Sequence, residues 1–253
     1  MKITFLGTGT SQGVPVIACN CRVCQSKDPK DKRLRSSLLI EIEGKNIVID
    51  AGPDFRQQML RAGVKKLDSI LLTHEHKDHI GGMDDVRAFN YISKEPIDIY
   101  SDERVQMAVM REYPYVFTEN KYPGVPQMNL ISINNEPFYI NDLYIIPVKV
   151  HHYRLPVYGF RIDDFAYITD ANSISEENKQ KLIGVKHFVI NALRKEKHLS
   201  HFNLREAVDL INEISPDKGY ITHISHQMGL HNDVTKELPS NIELAYDGLV
   251  INI

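Results

Sequence analysis

Thr73-His74-Glu75-His76-Lys77-Asp78-His79 directly follows the apolar run Ser69-Ile70-Leu71-Leu72 and directly precedes Ile80-Gly81-Gly82. A short run rich in Leu and Ile reads as a buried strand. Two glycines and a polar cluster then break the pattern, so the chain turns. Three imidazoles and a carboxylate are thereby presented from the end of a rigid strand. Such groups are costly to bury unpaired, yet they are good ligands for a borderline metal ion. His74 and His76, two positions apart, can reach one point. Asp78 and His79 are adjacent, so their side chains are expected to diverge and to suit two different ions, the arrangement of a binuclear hydrolase. The helical zinc-protease motif is excluded, because it needs a histidine where Asp78 stands.

The pattern His74-x-His76-x-Asp78-His79 resembles the metal-binding signature of the metallo-β-lactamase-fold hydrolases. The resemblance implies an α/β (α+β) fold, a four-layer αβ/βα sandwich. It also implies further ligands at strand ends downstream: a third-site histidine, a bridging aspartate and a last histidine, in that order.

With 253 residues and no visible repeat or linker, residues 1–253 are expected to form a single domain. No stretch approaches the roughly eighteen apolar residues that span a bilayer, and Met1-Lys2-Ile3-Thr4-Phe5-Leu6 is too short an apolar run for a signal peptide. No membrane is therefore expected among the partners. A net charge of −3 offers no global attraction to a polyanion, which disfavours nucleic acid. Cys19, Cys21 and Cys24 are the only cysteines. An odd, tightly clustered set argues for a metal clip in a cytoplasmic protein rather than a disulfide scaffold.

Ile3 to Leu6 reads as a first strand, followed by the glycine-rich loop Gly7 to Pro15. Gln12 stands where a dinucleotide fingerprint needs glycine, and no lysine follows for a phosphate loop, so the glycines are read as a close backbone approach. Loop and strand resemble the opening of the RNase Z and PhnP-like branches of the superfamily. Thiolates at the spacing of Cys19, Cys21 and Cys24 can converge on one Zn²⁺ and leave a fourth position for a residue from elsewhere. This loop resembles the structural zinc loop of PhnP-like phosphodiesterases, and PqqB-type proteins share a similar one.

Ser36–Glu43 and Asn46–Asp50 read as a hairpin through Gly44-Lys45, and Pro53–Ala62 as a helix stopped by Gly63. The resemblance gives Asp50 a supporting role beside the metal ligands. Ser101–Tyr113 reads as a helix with Ser101 as N-cap. Residues 113–135, rich in Tyr, Pro, Asn and Gly, read as an insertion near the site, either a substrate wall or packing. Leu143–Val150 is a strand running into His151-His152, one of which should be the third-site ligand; the family pattern selects His152. Tyr158–Ile162 and Phe165–Ile168 form a hairpin ending in Thr169-Asp170, and the family places its bridging carboxylate at Asp170. Ser175–Ile183 reads as a helix and Lys186–Ile190 as a strand. Asn203 with Glu206 three positions later is a capping box before the periodic run Leu204, Ala207, Val208, Ile211, Ile214. His201 lies just ahead of that helix, with His198 as the nearby competitor. His201 resembles the histidine that RNase Z and PhnP-like enzymes set beside the scissile phosphate. Gly219–Thr222 is a last buried strand before His223, which matches the final ligand position. His226, three further on, completes the cysteine site in the PhnP-like branch. Ile242–Ile253 ends the chain with strand-like alternation.

The resemblance thus implies one ion on His74, His76 and His152, a second on Asp78, His79 and His223, and Asp170 between them. It implies two divalent metals (Zn or Mn) at the active site, one structural Zn on Cys19, Cys21, Cys24 and His226, and catalysis through Asp78 and His201. The activity implied is a binuclear metal-dependent phosphodiesterase acting on small or cyclic phosphodiesters, such as 5-phosphoribosyl 1,2-cyclic phosphate. Its alternatives are an RNase Z-like nuclease and a PqqB-type accessory protein. A homodimer is compatible with the sequence.

Overall fold

The computed structural model describes residues 1–253. The chain first lays down β1 (Lys2–Gly7), β2 (Ser37–Ile42), β3 (Lys45–Ile49), β4 (Ser69–Leu71), β5 (Ile97–Ser101) and β6 (Met128–Ser132). Eight strands follow: β7 (Phe138–Ile140), β8 (Leu143–His152), β9 (Leu155–Ile162), β10 (Phe165–Tyr167), β11 (Ser173–Ile174), β12 (His187–Asn191), β13 (Lys218–Thr222) and β14 (Ile242–Leu244). The last, β15 (Val250–Asn252), returns to pair with β1. One sheet has the order β15-β1-β2-β3-β4-β5-β6. The other runs β11-β8-β9-β10-β12-β13-β14, with β7 paired to β8.

The strands alternate with period two between two apolar environments. In β3, Ile47 and Ile49 enter a core shared with Phe160, Tyr167 and Val189 of the other sheet, while Val48 turns to the opposite face. In β12, Val189 joins the shared core and Phe188 and Ile190 face away. Each outward face must then be covered by helices. α1 (Phe55–Ala62), α2 (Lys77–Ile80), α3 (Arg87–Ser93), α4 (Glu103–Glu112) and α5 (Pro114–Phe117) belong to the first half of the chain, and Phe55, Met59, Phe89, Val105 and Val109 pack beneath them. α6 (Glu176–Gln180), α7 (Leu204–Ile214) and α8 (His231–Thr235) belong to the second, with Ala207, Leu210, Ile211 and Val234 buried there. Helix, sheet, sheet, helix is the expected four-layer sandwich.

Several local expectations shift. The α4 cap is Asp102, whose carboxylate accepts from the Val105 N–H at 2.9 Å; Ser101 is instead the last residue of β5. Ladder pairing with β6 claims Ser101, so the next acceptor along the chain takes over the cap. The stretch 113–135 is not all loop. Met128–Ser132 adds a parallel edge strand to β5, and the Tyr113 hydroxyl donates to the Ile80 carbonyl at 2.7 Å. The helix expected over 175–183 is helical only over Glu176–Gln180. Residues 242–253 contain two short strands, one in each sheet. No helix is long and apolar enough to cross a membrane.

Candidate metal centre

β3, β4 and β5 are mutually parallel, as are β10, β12, β13 and β14. Open parallel sheets present their functional loops beyond the carboxyl ends of the strands. Asp50 follows β3, the His74–His79 stretch follows β4, Asp170 follows β10 and His223 follows β13, while His152 ends β8. Asp50, Asp170 and His223 have φ of 64°, 52° and 54°. This left-handed backbone costs side-chain-bearing residues energy and concentrates at functional sites. Gly52 makes room at the same place, since a Cβ there would collide with the Asp78 carbonyl.

Within the central motif the residues divide by face. Glu75 and Lys77 point away from the cluster and pair with Arg104 and Glu112 of α4. Asp78 and His79 do not diverge: His79 Nε2 lies 3.1 Å from Asp78 Oδ2 and 3.3 Å from Asp170 Oδ2. Their adjacency would separate them in a long regular helix, but α2 is a single four-residue turn whose ends are free to aim both groups inward. Asp78, His79, Asp170 and His223 form one buried group whose ligand atoms all lie within 4.8 Å of one another.

Supporting contacts fix the imidazoles. His79 Nδ1 donates to Asp50 Oδ2 at 2.7 Å, leaving Nε2 turned to the carboxylates. Asp50 is held in turn by the Thr73 N–H and hydroxyl, both at 2.9 Å. His152 Nδ1 donates to the Ser200 carbonyl at 2.7 Å, so its lone pair is on Nε2. His74 Nε2 and His76 Nδ1 lie 3.0 Å apart. The His152 ring is 5.3 Å from that of His76 and 6.0 Å from that of His74. Its tightest grouping is with Asp170 and His201. His201 Nδ1 lies 3.9 Å from Asp170 Oδ1, and the His198 ring sits 5.2 Å from that of His201 on the outer side.

The electrostatics have one theme. Burial works against charge on His79, but Asp78, Asp170 and Asp50 around it raise its proton affinity well above that of ordinary histidine. Burial also opposes ionisation of Asp170, and His223 and His79 more than offset it, holding the carboxylate well below its usual range. Asp78 is likewise lowered, by His79 against burial. Burial pushes His74 well down, and pushes down His76 and His223. Three carboxylates therefore converge on a site that needs positive charge, and beyond His79 the imidazoles of His74, His76 and His223 are poor at supplying it by protonation. His79 Nε2 and His201 Nδ1 are buried without a hydrogen-bond partner. Unpartnered nitrogens beside carboxylates are what a divalent cation would satisfy, so the donor set fits metal ions.

A second cluster lies apart. The Sγ atoms of Cys19, Cys21 and Cys24 are 3.3, 3.4 and 3.6 Å from His226 Nδ1. Tetrahedral bonds of about 2.3 Å to sulfur and about 2.0 Å to nitrogen would separate such atoms by about 3.5 Å. The backbone N–H of Cys24 helps hold Cys21 down to about 6, while burial pushes Cys24 up to about 11. Three thiol sulfurs crowding one imidazole fit a zinc ion.

Sequence reasoning passed over Thr73, Arg104 and Asn172. Arg104 pairs with Glu75 and also donates to the Pro156 carbonyl at 2.6 Å. The Asn172 side chain bonds Tyr153 and Leu199. Each contact joins segments distant in sequence, so no local pattern announces it.

Residues 45–224 match the Beta-lactamase superfamily domain. A crystal structure described as a new diphosphatase from the PhnP family is 36% identical, with a TM-score of 0.93 over 100% of this chain and 97% of that one. An octanoyltransferase of Porphyromonas gingivalis is 41% identical over 98% of this chain and 51% of its own length. Ribonuclease Z of Nostoc sp. is 28% identical over 64% of this chain and 46% of its own length. The chain spans about half the length of these curated relatives. Family match, sandwich architecture and the likeness to the PhnP-family structure agree: the chain belongs to the metallo-β-lactamase-fold superfamily, in its PhnP-like branch.

Proposed function

We propose that this protein is a phosphodiesterase working at a two-metal centre. The observation that carries the reading is the position of Asp170. Its Oδ2 lies 3.1 Å from His223 Nδ1 and 3.3 Å from His79 Nε2, while its Oδ1 lies 3.9 Å from His201 Nδ1 and the carboxylate also groups with His152 and His201. A carboxylate so placed can serve two cations at once. Asp78, His79 and His223 would hold one, and His74, His76 and His152 the other. Bound there, the ions would lower the pKa of water and offset negative charge on phosphoryl oxygens.

The protein's own groups do the rest. Asp50 and the Ser200 carbonyl orient His79 and His152, and partners of this kind are worth about 10- to 100-fold in metal affinity or activity. His201 Nδ1 is buried toward Asp170, leaving Nε2 for the substrate. Burial, helped by His223, His152 and His198 and opposed by Asp170, pushes His201 down to about 3, so the resting ring is neutral. An anionic phosphodiester beside it favours the imidazolium. Hydrolysis then balances as follows. A water oxygen forms the new bond to phosphorus and gives its proton to solvent, and the bond to the leaving oxygen breaks with its electron pair. The leaving alkoxide takes the Nε2 proton of the imidazolium, a proton the ring draws from solvent when the phosphodiester binds, and the ring returns to its neutral form.

Small or cyclic phosphodiesters are the substrate class we favour, with residues 1–253 acting as one unit because site residues come from both sheets. Purified protein should hydrolyse bis(p-nitrophenyl) phosphate with Mn²⁺ or Zn²⁺, and a chelator should abolish this. The same preparation is tested on a ribose cyclic phosphate, a diphosphate and a precursor tRNA. Cleavage of tRNA alone would replace this reading with a nuclease. Inactivity on every phosphoester with both sites loaded would end it.

A further inference from the structure

One side-chain amide joins two segments of the site that are far apart in the chain. Asn172 Oδ1 accepts from the Tyr153 backbone N–H at 2.7 Å, and Asn172 Nδ2 donates to the Leu199 carbonyl at 3.0 Å. One partner can only donate and the other can only accept, so the amide has a single orientation. Asn172 is itself anchored, because its backbone N–H donates to the His151 carbonyl at 2.8 Å.

Each segment carries a histidine of the site. Tyr153 directly follows His152 and has a left-handed φ of 60°, a conformation a tyrosine holds only when its surroundings impose it. Leu199 stands two residues before His201. The two rings are 4.4 Å apart, and the segments touch again where His152 Nδ1 meets the Ser200 carbonyl. Beyond these contacts, the 199–202 segment is held at Phe202, whose N–H donates to the Ala171 carbonyl at 2.7 Å and whose carbonyl accepts from the Leu193 N–H at 3.0 Å. Those bonds fix the far end of the segment and leave the end before His201 to Asn172 and Ser200.

We propose that Asn172 is a positioning residue that sets the separation of His152 and His201, and so aims the His201 imidazole at the leaving group. The inference rests on the reading of His201 as proton donor. Asparagine is the residue type this task requires. Aspartate, of the same shape, could still accept from Tyr153, but it would set a carboxylate oxygen against the Leu199 carbonyl, two acceptors with no proton between them. Alanine would release both segments.

The test uses metal-loaded protein with Asn172→Asp, Asn172→Ala and His201→Ala. Each is measured on an alkyl and a nitrophenyl phosphodiester, for metal content, and for amide hydrogen exchange over residues 152–154 and 198–202. Asn172→Asp should keep its metals and the protection of the Tyr153 amide, while residues 198–202 exchange faster. Its kcat on the alkyl ester should fall roughly 10- to 100-fold, the scale of a small misplacement of a reacting group. The fall on the nitrophenyl ester, whose leaving group needs no proton, should be much smaller. Asn172→Ala should show the same order of losses with faster exchange in both segments. Equal losses on the two esters, no loss, or loss of metal would overturn the proposal. A His201→Ala variant without leaving-group dependence would overturn the proton-donor reading, and this inference with it. Leaving-group dependence in His201→Ala but not in the Asn172 variants would overturn the inference alone.

Discussion

The two ligand clusters are built on opposite plans. The Asp78–His79–Asp170–His223 group is buried, gathers residues from both sheets, and rests on backbone that is left-handed at Asp170 and His223. The Cys19–Cys21–Cys24–His226 group draws three ligands from six consecutive positions and only Cys24 is buried. Three sulfurs and one nitrogen would fill the tetrahedron of a zinc ion and leave no place for a substrate, whereas carboxylates and imidazoles that converge from several strands can leave one. The difference teaches what each is for. Under the proposed function, a closed set of soft ligands would hold a loop to the body of the protein, and an open set of hard and borderline ligands would hold something that must react.

Asp170→Ala should break that contrast most severely. If Asp170 is the ligand common to two ions, as proposed, metal content should drop and hydrolysis should fall to background. Elemental analysis that still finds two active-site metals in this variant would refute the binuclear assignment. His201→Ala should come next, with full metal content and a loss of about 10²–10⁴-fold on an alkyl phosphodiester. Its ring is near enough to His152 and Asp170 to be a ligand, so one missing metal would assign it to the cluster rather than to proton transfer.

Asp50→Asn keeps the shape beside His79 and weakens the acceptor. Metal affinity measured by competition with a chelator should fall about 10- to 100-fold. Unchanged affinity would make Asp50 a purely structural link between β3 and β4. Cys21→Ser should have the smallest catalytic effect and a stability effect of its own. Zinc bound only to the folded chain contributes folding free energy, so the melting temperature should drop by about 2–4 °C for each kcal/mol lost. A kinetic defect as large as that of Asp50→Asn would erase the division between the two clusters.

Much of this was legible in advance because it was local. His74, His76, Asp78 and His79 lie within six residues after an apolar run, and the three cysteines within six of one another. Asp170 and His223 needed the family pattern, since each is a single polar residue at a strand end. Linkage was not legible. Nothing near Asn172 in sequence points to Tyr153 or Leu199, and nothing near Arg104 points to Pro156. The direction of Asp78 relative to His79 also depended on α2 stopping after one turn. Ser101 was misplaced as a cap because its alternative use, pairing in β5, is a long-range fact.

The left-handed backbone at Asp50, Asp170 and His223 has a consequence for anyone who would engineer this protein. Each costs about 1–3 kcal/mol that a glycine would largely recover. Selection for heat resistance without an activity screen should therefore enrich glycine at Asp170 and His223 and discard groups that make the site, while Asp50 is kept by the buried Thr73 and His79 donors it satisfies. Deep sequencing of a saturation library sorted only for thermal survival would measure this. Retention of Asp170 and His223 under such sorting would mean that metal loading already repays the strain. Durability and chemistry would then be improvable together, because the ion that reacts would also be the ion that holds the fold.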